Sequence, residues 1–451
     1  MRFLSPLFKL VRLWLPGTVS IRCRVPLIAG TLLVAGLGFS ESTIAADYYI
    51  SKAGSDAHDG LTLDSSWATL VPANKMNLVP GDRILLEGGS GFPGPLLFDS
   101  EDRGTPKAPV VVTSYGEGRA FILAGAGVGI MALNTAGIFI SDIEVIGSGR
   151  TDNESDGVSF YLTRVGEHYF QGITILRMVV HGFGRNGIAI GSWNSPSGFQ
   201  DVKIQEVEVY DNGLSGIVTY AESPRAHKSV YIGYSKVYRN AGSPDVVPSG
   251  NGIVLGSVDG GVIERSQAFE NGWQGDGGVG IWTYESTNIH IQHNEAHHNQ
   301  TAGTRDGGGF GLDGGVTHSL MQYNFSHEND GAGFLLCQYA GASSWSKNIV
   351  RHNLSIDDGR NNSYAGILVW NNGTGLDEAT IYDNQIVMGK TRFGSPTVLQ
   401  IRTEGTRRFS ISNNVFVTID ARVSLVIASG QTNLNVAQNM CWPQPCLRTT
   451  P

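Results

Sequence analysis

The sequence predicts an all-β fold in which a parallel β-helix of about ten or more coils forms a solenoid. Related segments recur at a spacing of roughly 25–32 residues, which is the spacing of solenoid repeats. Each period holds about three short β-rich runs separated by Gly, Asn or Asp, and no period has room for a helix. Asparagine also recurs at fixed positions of the repeat. Together these observations predict three strands in each coil.

The repeat is clearest in the second half of the chain. The aligned segments are 202–213, 230–242, 261–272, 289–299, 319–331, 348–359, 380–389 and 410–417. The 60 glycines are spread along the chain at regular spacing, which indicates turns and not a disordered linker.

Two polar columns fix the alignment of the repeats. The first column, at one tight turn, is Asn294, Asn324, Asn353, Asn384 and Asn414. The second, at the next turn, is Asn212, Asn240, Asn271, Asn299, Asn329 and Asp358. Asparagine tolerates left-handed backbone geometry and can bond its copies above and below, so we expect asparagine ladders at these turns.

A third column consists of aromatic and histidine side chains. Its members are His181, Tyr210, Tyr238, Phe269, His297 and His327. We expect these side chains to stack along the solenoid. Because His297 and His327 would be neighbours, a shared metal ion is the alternative.

A short apolar strand follows a glycine in most repeats, and its first residue is predicted to face the interior. These residues are Ile188, Ile217, Ile253, Ile281, Phe310, Phe334 and Ile367. Side chains alternate along a strand, so the second and fourth residues point outward. Outward aromatic and polar side chains suit sugar rings. The predicted substrate-binding residues on this face and in its turns are Tyr220, Trp282, Tyr284, Gln338, Trp370, Asn371 and Asp276. In the alternative, the loops 148–157 and 193–201 or adjacent segments bury the aromatics.

The segment 305–315, RDGGGFGLDGG, departs from the repeat because it has glycine and a carboxylate at positions where the neighbouring repeats have larger side chains. We expect Asp276, Asp306 and Asp330 to form a column of carboxylates beside Asp313. Like charges this close repel, so one should hold a proton or a cation. The predicted catalytic residues are Asp306, Asp313, Asp330 and Glu285. Capping of Gly-rich turns is the structural alternative for each acid.

Residues 1–46 have the pattern of an export signal, with basic residues before a short apolar run, 27–39, and small residues at its end. We therefore expect a secreted or periplasmic protein with no membrane attachment after cleavage. Loss of the segment's five basic residues and one acidic residue changes the formal charge from −8 to −12. This acidity is a poor match for nucleic acid. Cys441 and Cys446 lie close enough to form a disulfide, whereas Cys337 is predicted to be an unpaired packing residue.

Two segments near the start resemble secreted right-handed parallel β-helix proteins of the pectate-lyase type. The segment 48–56 carries the Tyr-Tyr-x-x-x-x-Gly-x-Asp pattern and is followed by Trp67-Ala68-Thr69-Leu70 with a predicted short helix. The segment 81–86, Gly-Asp-Arg-Ile-Leu-Leu, matches the beginning of the first coil. The resemblance implies a cap and first strand at 47–90, the β-helix at 91–430 and a tail at 431–451. It specifies the fold and leaves the reaction open.

Our leading hypothesis is a glycoside hydrolase, because this reaction needs two carboxyl groups about 5–9.5 Å apart and stacked coils can supply them. The alternative is a lyase or epimerase acting on a uronate polymer, with Arg239, Arg305 or Lys347 as base and calcium as a possible cofactor. A third hypothesis is a glycan-binding protein without catalysis. In each case we expect a monomer whose partner is a polysaccharide or oligosaccharide, and no other cofactor.

Overall fold

The computed structural model describes residues 45–194, 196–361, 364–389, 397–419 and 424–450. All but the last two residues of the predicted export signal therefore lie outside the described residues. Within those ranges, no helix is both long enough and apolar enough to cross a membrane. The helical element recorded there is a single 3-10 turn, Ala73–Lys75, which occupies the place of the short helix predicted after Trp67.

In the described residues, forty strands form three parallel sheets, which confirms the predicted β-helix. Sheet A comprises β1 Asp47–Ile50, β2 Arg83–Glu87, β5 Val110–Tyr115, β8 Ile138–Ser141, β11 Tyr169–Leu176, β14 Gly198–Gln205, β17 His227–Gly233, β20 Val258–Glu264, β23 Thr287–Gln292, β26 Leu320–Gln322, β29 Trp345–Arg351, β32 Leu376–Tyr382, β35 Thr406–Ser412 and β38 Asn435–Ala437. Sheet B comprises β3 Gly91–Pro93, β6 Ala120–Gly125, β9 Ile143–Gly147, β12 Val179–His181, β15 Glu208–Tyr210, β18 Lys236–Tyr238, β21 Gln267–Phe269, β24 Glu295–His297, β27 Phe325–His327, β30 Leu354–Ile356, β33 Gln385–Met388, β36 Val415–Thr418 and β39 Met440–Trp442. Sheet C comprises β4 Leu96–Phe98, β7 Ile130–Leu133, β10 Val158–Leu162, β13 Ile188–Ser192, β16 Ser215–Ala221, β19 Asn251–Gly256, β22 Val279–Tyr284, β25 Gly308–Leu312, β28 Phe334–Gln338, β31 Ala365–Asn371, β34 Thr397–Ile401, β37 Ser424–Ile427 and β40 Leu447–Thr449.

Each coil contributes one strand to sheet A, then one to sheet B and one to sheet C. The predicted inward residues of sheet C are in register from Ile188 to Ile367 and have no exposed surface. This register confirms the alignment drawn from the sequence. It also places Gly311 between Trp282 and Leu335 on the outer face of sheet C.

Both predicted asparagine ladders are present and buried. In the first, at the turn between sheets A and B, each side-chain amide donates to the next residue from Asn294 to Asn414 at 2.9–3.1 Å, and Asn414 donates to Asn439. In the second, between sheets B and C, the same bonds run from Asn212 to Asp358 at 2.7–2.9 Å. The ladders satisfy polar groups that would otherwise be buried without partners.

One detail of the ladder prediction was wrong. The left-handed backbone conformation falls on the residue before each ladder asparagine, where the side chain points away from the core. In the first ladder these residues are His293, Tyr323, His352, Asp383 and Asn413, with φ of 54–57°. Asparagine is therefore selected here for its paired amide bonds and not for its backbone tolerance.

The predicted column of rings is also present, on the outer face of sheet B. Neighbouring centroids from His181 to His327 lie 4.6–5.0 Å apart, with the ring planes nearly parallel. This spacing equals that of adjacent strands, so the column confirms the stacking prediction.

The two ends of the solenoid are covered in different ways. At the N-terminal end, Trp67 is buried and stacks on Tyr48 at 5.2 Å. At the C-terminal end, β38, β39 and β40 pair with the preceding coil, so the stack of coils continues into the segment expected to be a tail. Cys441 and Cys446 form the predicted disulfide there, whereas Cys337 is a free, buried thiol.

Candidate active site

Asp306 and Asp313 lie at the two ends of β25. Asp306 precedes the strand in the turn from sheet B and has a left-handed backbone, with φ of 45°. Asp313 directly follows the strand, where its amide donates to the carbonyl of Thr283 at 2.9 Å. Between them, Gly311 adds no side chain to the outer face, whereas the coils on either side carry Trp282 and Leu335 at this position. Glycine therefore leaves the strand without a side chain between the two carboxyl groups, in a position that is itself buried and where an added Cβ would lie 3.1 Å from the Trp282 Cβ.

Asp306 is the more strongly perturbed acid. Burial raises the pKa of its carboxyl group to about 7, and the neighbouring carboxylates of Asp313 and Asp276 contribute in the same direction against the opposing charge of Arg305. These three charged residues lie close enough to Asp306 to affect its ionisation. With a pKa near 7, Asp306 is about half protonated at neutral pH, whereas an ordinary aspartate is ionised there.

Asp313 has a different environment. Burial raises its pKa, but the thiol of Cys337 and the backbone N–H of Gly314, at 2.7 Å, both donate to the carboxylate and oppose that rise. Donors to a carboxylate favour its charged form. The surroundings of the two acids thus differ, since Asp306 has carboxylate neighbours and Asp313 has hydrogen-bond donors.

Two tyrosines that the sequence analysis missed lie near these acids. The pKa of Tyr339 is raised by burial and by the charges of Asp313 and Glu285, and its ring lies so near Gly314 that an added Cβ would approach it to 2.3 Å. Burial and the charge of Asp306 raise the pKa of Tyr364. Tyr339 lies in the loop between β28 and β29, and Tyr364 in the loop between β30 and β31. The clue to Tyr339 in the sequence was Gly314, because a larger residue at that position would clash with the tyrosine ring.

Asp276 holds the loop that carries Asp306. One of its oxygens accepts the backbone N–H of Arg305 at 3.0 Å, and the other lies 3.2 Å from the Arg305 Nε. Its carboxylate nonetheless remains within electrostatic range of Asp306. Asp276 is therefore placed to position the turn before β25, and both of its carboxylate oxygens are engaged by Arg305.

The structure separates Asp330 and Glu285 from the pair. The Asp330 carboxylate accepts the backbone N–H of Thr301 at 3.1 Å, and Asp330 is absent from the charges that shift Asp306. The Glu285 Oε1 accepts the backbone N–H of Ser343 at 2.8 Å. Anchoring of turns, the structural alternative given above, thus accounts for one oxygen of each acid, whereas the Glu285 Oε2 is buried without a hydrogen-bond partner. The expected column of carboxylates is divided among loops, because each acid bonds the backbone of a loop on another coil.

The predicted aromatic surface is largely covered. Trp282 is 6% exposed and donates its indole N–H to Asn251 at 2.9 Å. It forms a small cluster with Tyr284 and neighbouring valines. The ring of Tyr220 lies over Gly191. The rings of Tyr220 and Tyr284 occupy the space beside Gly191 and Gly256 on adjacent coils, so the burial alternative describes these aromatics better than an exposed sugar platform.

The remaining predicted contacts are divided between packing and turns. Gln338 is fully buried, and its amide accepts from Gly315 and donates to Ser343 and Thr374. The amide of Asn371 caps the turn that follows β31. Only Trp370 remains a half-buried aromatic beside the cluster that contains Cys337 and Tyr364. We retain Trp370 as a predicted substrate contact and assign the two amides to structure.

Calcium binding at the acids stays a prediction. Among the described residues, the groups of three or more ligand atoms close enough to share an ion are Glu295, His297 and His327, and His298, His327 and Glu328. None of the four aspartates belongs to either group. Calcium prefers six to eight oxygen ligands, and several oxygens of Asp276, Asp313 and Asp330 are already bonded to the chain.

Known proteins place this architecture in context. A segment of 73 residues is 37% identical to lacto-N-biosidase from Bifidobacterium longum subsp. longum, and the match covers 16% of this chain and 5% of that protein. Two crystal structures of GH136 lacto-N-biosidase from Eubacterium ramulus, native protein and selenomethionine derivative, superpose with TM-scores of 0.59 and 0.62. Each is 20% identical, over 82% of this chain and 67% of that one, so the likeness shows a shared fold. The family model described as "Right handed beta helix region" matches residues 167–416. The chain therefore belongs to the right-handed β-helix family.

Proposed function

We propose that this protein is a carbohydrate-active enzyme, a glycoside hydrolase in which Asp306 is the general acid and Asp313 is the carboxylate that acts at the opposite side of the bond. The observation that carries the proposal is the electrostatically coupled pair at the ends of β25, in which the pKa of Asp306 is raised to about 7 and two hydrogen-bond donors oppose the rise in the pKa of Asp313. Glycosidases need this division of labour between two carboxyl groups.

The absence of a side chain at Gly311, between the two acids, fits the proposal. A sugar lying across β25 would have one carboxyl group at each end of the strand and backbone beneath it. Trp370 and the two tyrosines, Tyr339 and Tyr364, would border the bound ring. Aromatic planes beside polar groups are usual in sugar-binding sites.

The relatives favour an oligosaccharide as the substrate. Lacto-N-biosidase is the name of the Bifidobacterium protein and of the Eubacterium ramulus structures, and we propose a related glycosidase activity for this chain. The disulfide Cys441–Cys446 supports the predicted secreted or periplasmic location, because disulfides persist in oxidising compartments. Arg305, a candidate base for a lyase, is paired with Asp276, so no observation favours that alternative.

The test is a screen of the purified protein against an oligosaccharide that bears lacto-N-biose and a panel of neutral and uronate polysaccharides. We expect new reducing ends from a neutral substrate without the ultraviolet absorbance of unsaturated products. Asp313→Asn should lower this activity by about 10²–10⁴-fold, because the neutral amide cannot act as base or nucleophile. Unsaturated products would identify a lyase, and full activity in Asp313→Asn would exclude the assigned pair.

The thiol of Cys337 provides a second test, through the pH profile. Its bond to Asp313 lowers the pKa of that acid, so Cys337→Ala should raise the pKa of Asp313 and move the acidic limb of kcat/KM to higher pH. Cys337→Ser keeps a donor and should restore the original limb. If both variants keep the wild-type profile, Asp313 is not the group whose ionisation limits the rate at low pH.

A further inference from the structure

A histidine and glutamate cluster lies at the corner between sheets B and C, apart from the two aspartates. Its members are His298, directly after β24, and His327 and Glu328, at the end of β27 on the next coil. The backbone N–H of His298 donates to the carbonyl of His327 at 3.3 Å, so the two coils hold the side chains in a fixed relation. His298 is exposed, which leaves a path from solvent.

We propose that this cluster binds a divalent transition-metal ion through His298 Nε2, His327 Nδ1 and Glu328 Oε2. The glutamate oxygen lies 3.3 Å from the first nitrogen and 3.4 Å from the second. A tetrahedral site with bonds of about 2.1 Å has ligand atoms about 3.4 Å apart. Two of the three distances match this spacing, and all three ligand atoms lie within 4.8 Å of one another, so they can hold one ion with the fourth position left for water.

The ring orientations distinguish this site from the neighbouring stacked pair. Imidazole lone pairs lie in the ring plane, so two stacked rings direct them in parallel, whereas perpendicular rings can direct them toward one point. His297 and His327 are stacked, with 10° between their planes. His298 and His327 are perpendicular, at 87°, so their lone pairs can converge. The perpendicular pair therefore suits one ion better than the stacked pair, which with Glu295 forms the second group of close ligand atoms.

Each proposed ligand has a second partner that orients it. His298 Nδ1 lies 2.9 Å from His297 Nδ1, so the N–H left after metal binding at Nε2 has an acceptor. His327 Nε2 lies 3.2 Å from Glu295 Oε1 and has the same arrangement. The other oxygen of Glu328 accepts from Arg360 at 2.9 Å. Such partners fix the tautomer and orientation of metal ligands.

The donor set determines the class of ion. Two imidazole nitrogens and one carboxylate suit Zn²⁺, Co²⁺, Ni²⁺ or Cu²⁺, whereas Ca²⁺ and Mg²⁺ prefer oxygen ligands. An ion here would link two successive coils beside the turn that leads to Asp306. The role is structural and independent of the proposed hydrolysis.

The test uses the full protein without a polyhistidine tag, stripped with EDTA and titrated with Zn²⁺ at pH 7.5. We expect one ion per chain by calorimetry, a rise in the melting temperature, and a visible absorption spectrum of low-coordinate geometry with Co²⁺. His298→Asn should abolish binding, because asparagine tolerates the left-handed backbone at this position, where φ is 52°, but supplies no imidazole. Glu295→Gln should weaken the affinity by about 10–100-fold.

His293→Asn is the matched control, since His293 is exposed on the same coil with φ of 57° and lies outside the cluster. It should bind Zn²⁺ as the wild type does. The melting temperature of metal-free His298→Asn should also stay near that of the metal-free wild type, which separates ligand loss from unfolding. The absence of saturable binding, or equal loss of binding in both asparagine variants, would overturn the proposal.

Discussion

Replacing Asp306 with asparagine is expected to lower turnover by about 10²–10⁴-fold, which is the usual contribution of a general acid. The side chain keeps its shape and loses only its proton-donating acid. In the wild type, the basic limb of the kcat/KM profile should fall near pH 7, where Asp306 of the free enzyme loses its proton. The measurement is kcat and kcat/KM from pH 4 to 9 for both proteins. Asp245→Asn, the same change at an exposed loop residue, is the control.

The same variant should be more stable than the wild type at high pH. The folded pKa of Asp306 is raised above the ordinary aspartate value, so the wild type loses stability as the pH rises from about 4 to 7, and the loss is complete above that range. Asparagine carries no charge and avoids this loss. The difference in melting temperature between variant and wild type should therefore grow between pH 4 and 7 and then level off. A difference that is constant with pH would show that Asp306 has an ordinary pKa.

Replacing Asn324 with leucine is expected to lower the free energy of unfolding by about 3 kcal/mol or more. The Asn324 amide donates to the carbonyl of Ile291 and to Asn353, and its oxygen accepts from the backbone and side chain of Asn294. Leucine leaves these buried partners unsatisfied. Each orphaned polar group costs about 1–3 kcal/mol.

Urea denaturation followed by circular dichroism measures this effect. Asn372→Ala, at an exposed loop position, is the control and should change stability by less than about 0.5 kcal/mol. Since a solenoid is stabilised by contacts between adjacent coils, the unfolding transition of the leucine variant should also broaden. If Asn324→Leu unfolds at the same urea concentration as the control, the ladder contributes little to stability beyond its local turn.

The candidate site was only partly predictable. Asp313 and Gly311 stand out in the sequence because they interrupt a regular pattern, and the register then places them on the outer face of sheet C. Asp330 and Glu285 follow the same logic of residue type and position, yet one oxygen of each accepts a backbone N–H from a loop on another coil, and the Glu285 Oε2 is buried without a hydrogen-bond partner. Residue type does not reveal which loop of another coil will bond to a given side chain. For the same reason Tyr339 and Tyr364 carried no signal of their own.

The sequence by itself determined the parallel β-helix, the inward column from Ile188 to Ile367 and both asparagine ladders. These features repeat with the coil, and each depends on contacts between equivalent positions one repeat apart, so periodicity alone specifies them. Only the tertiary structure decided which outward side chains are covered, which acids cap turns, and which pair shares a perturbed environment. Those outcomes depend on irregular loops and on burial, to which many distant residues contribute at once.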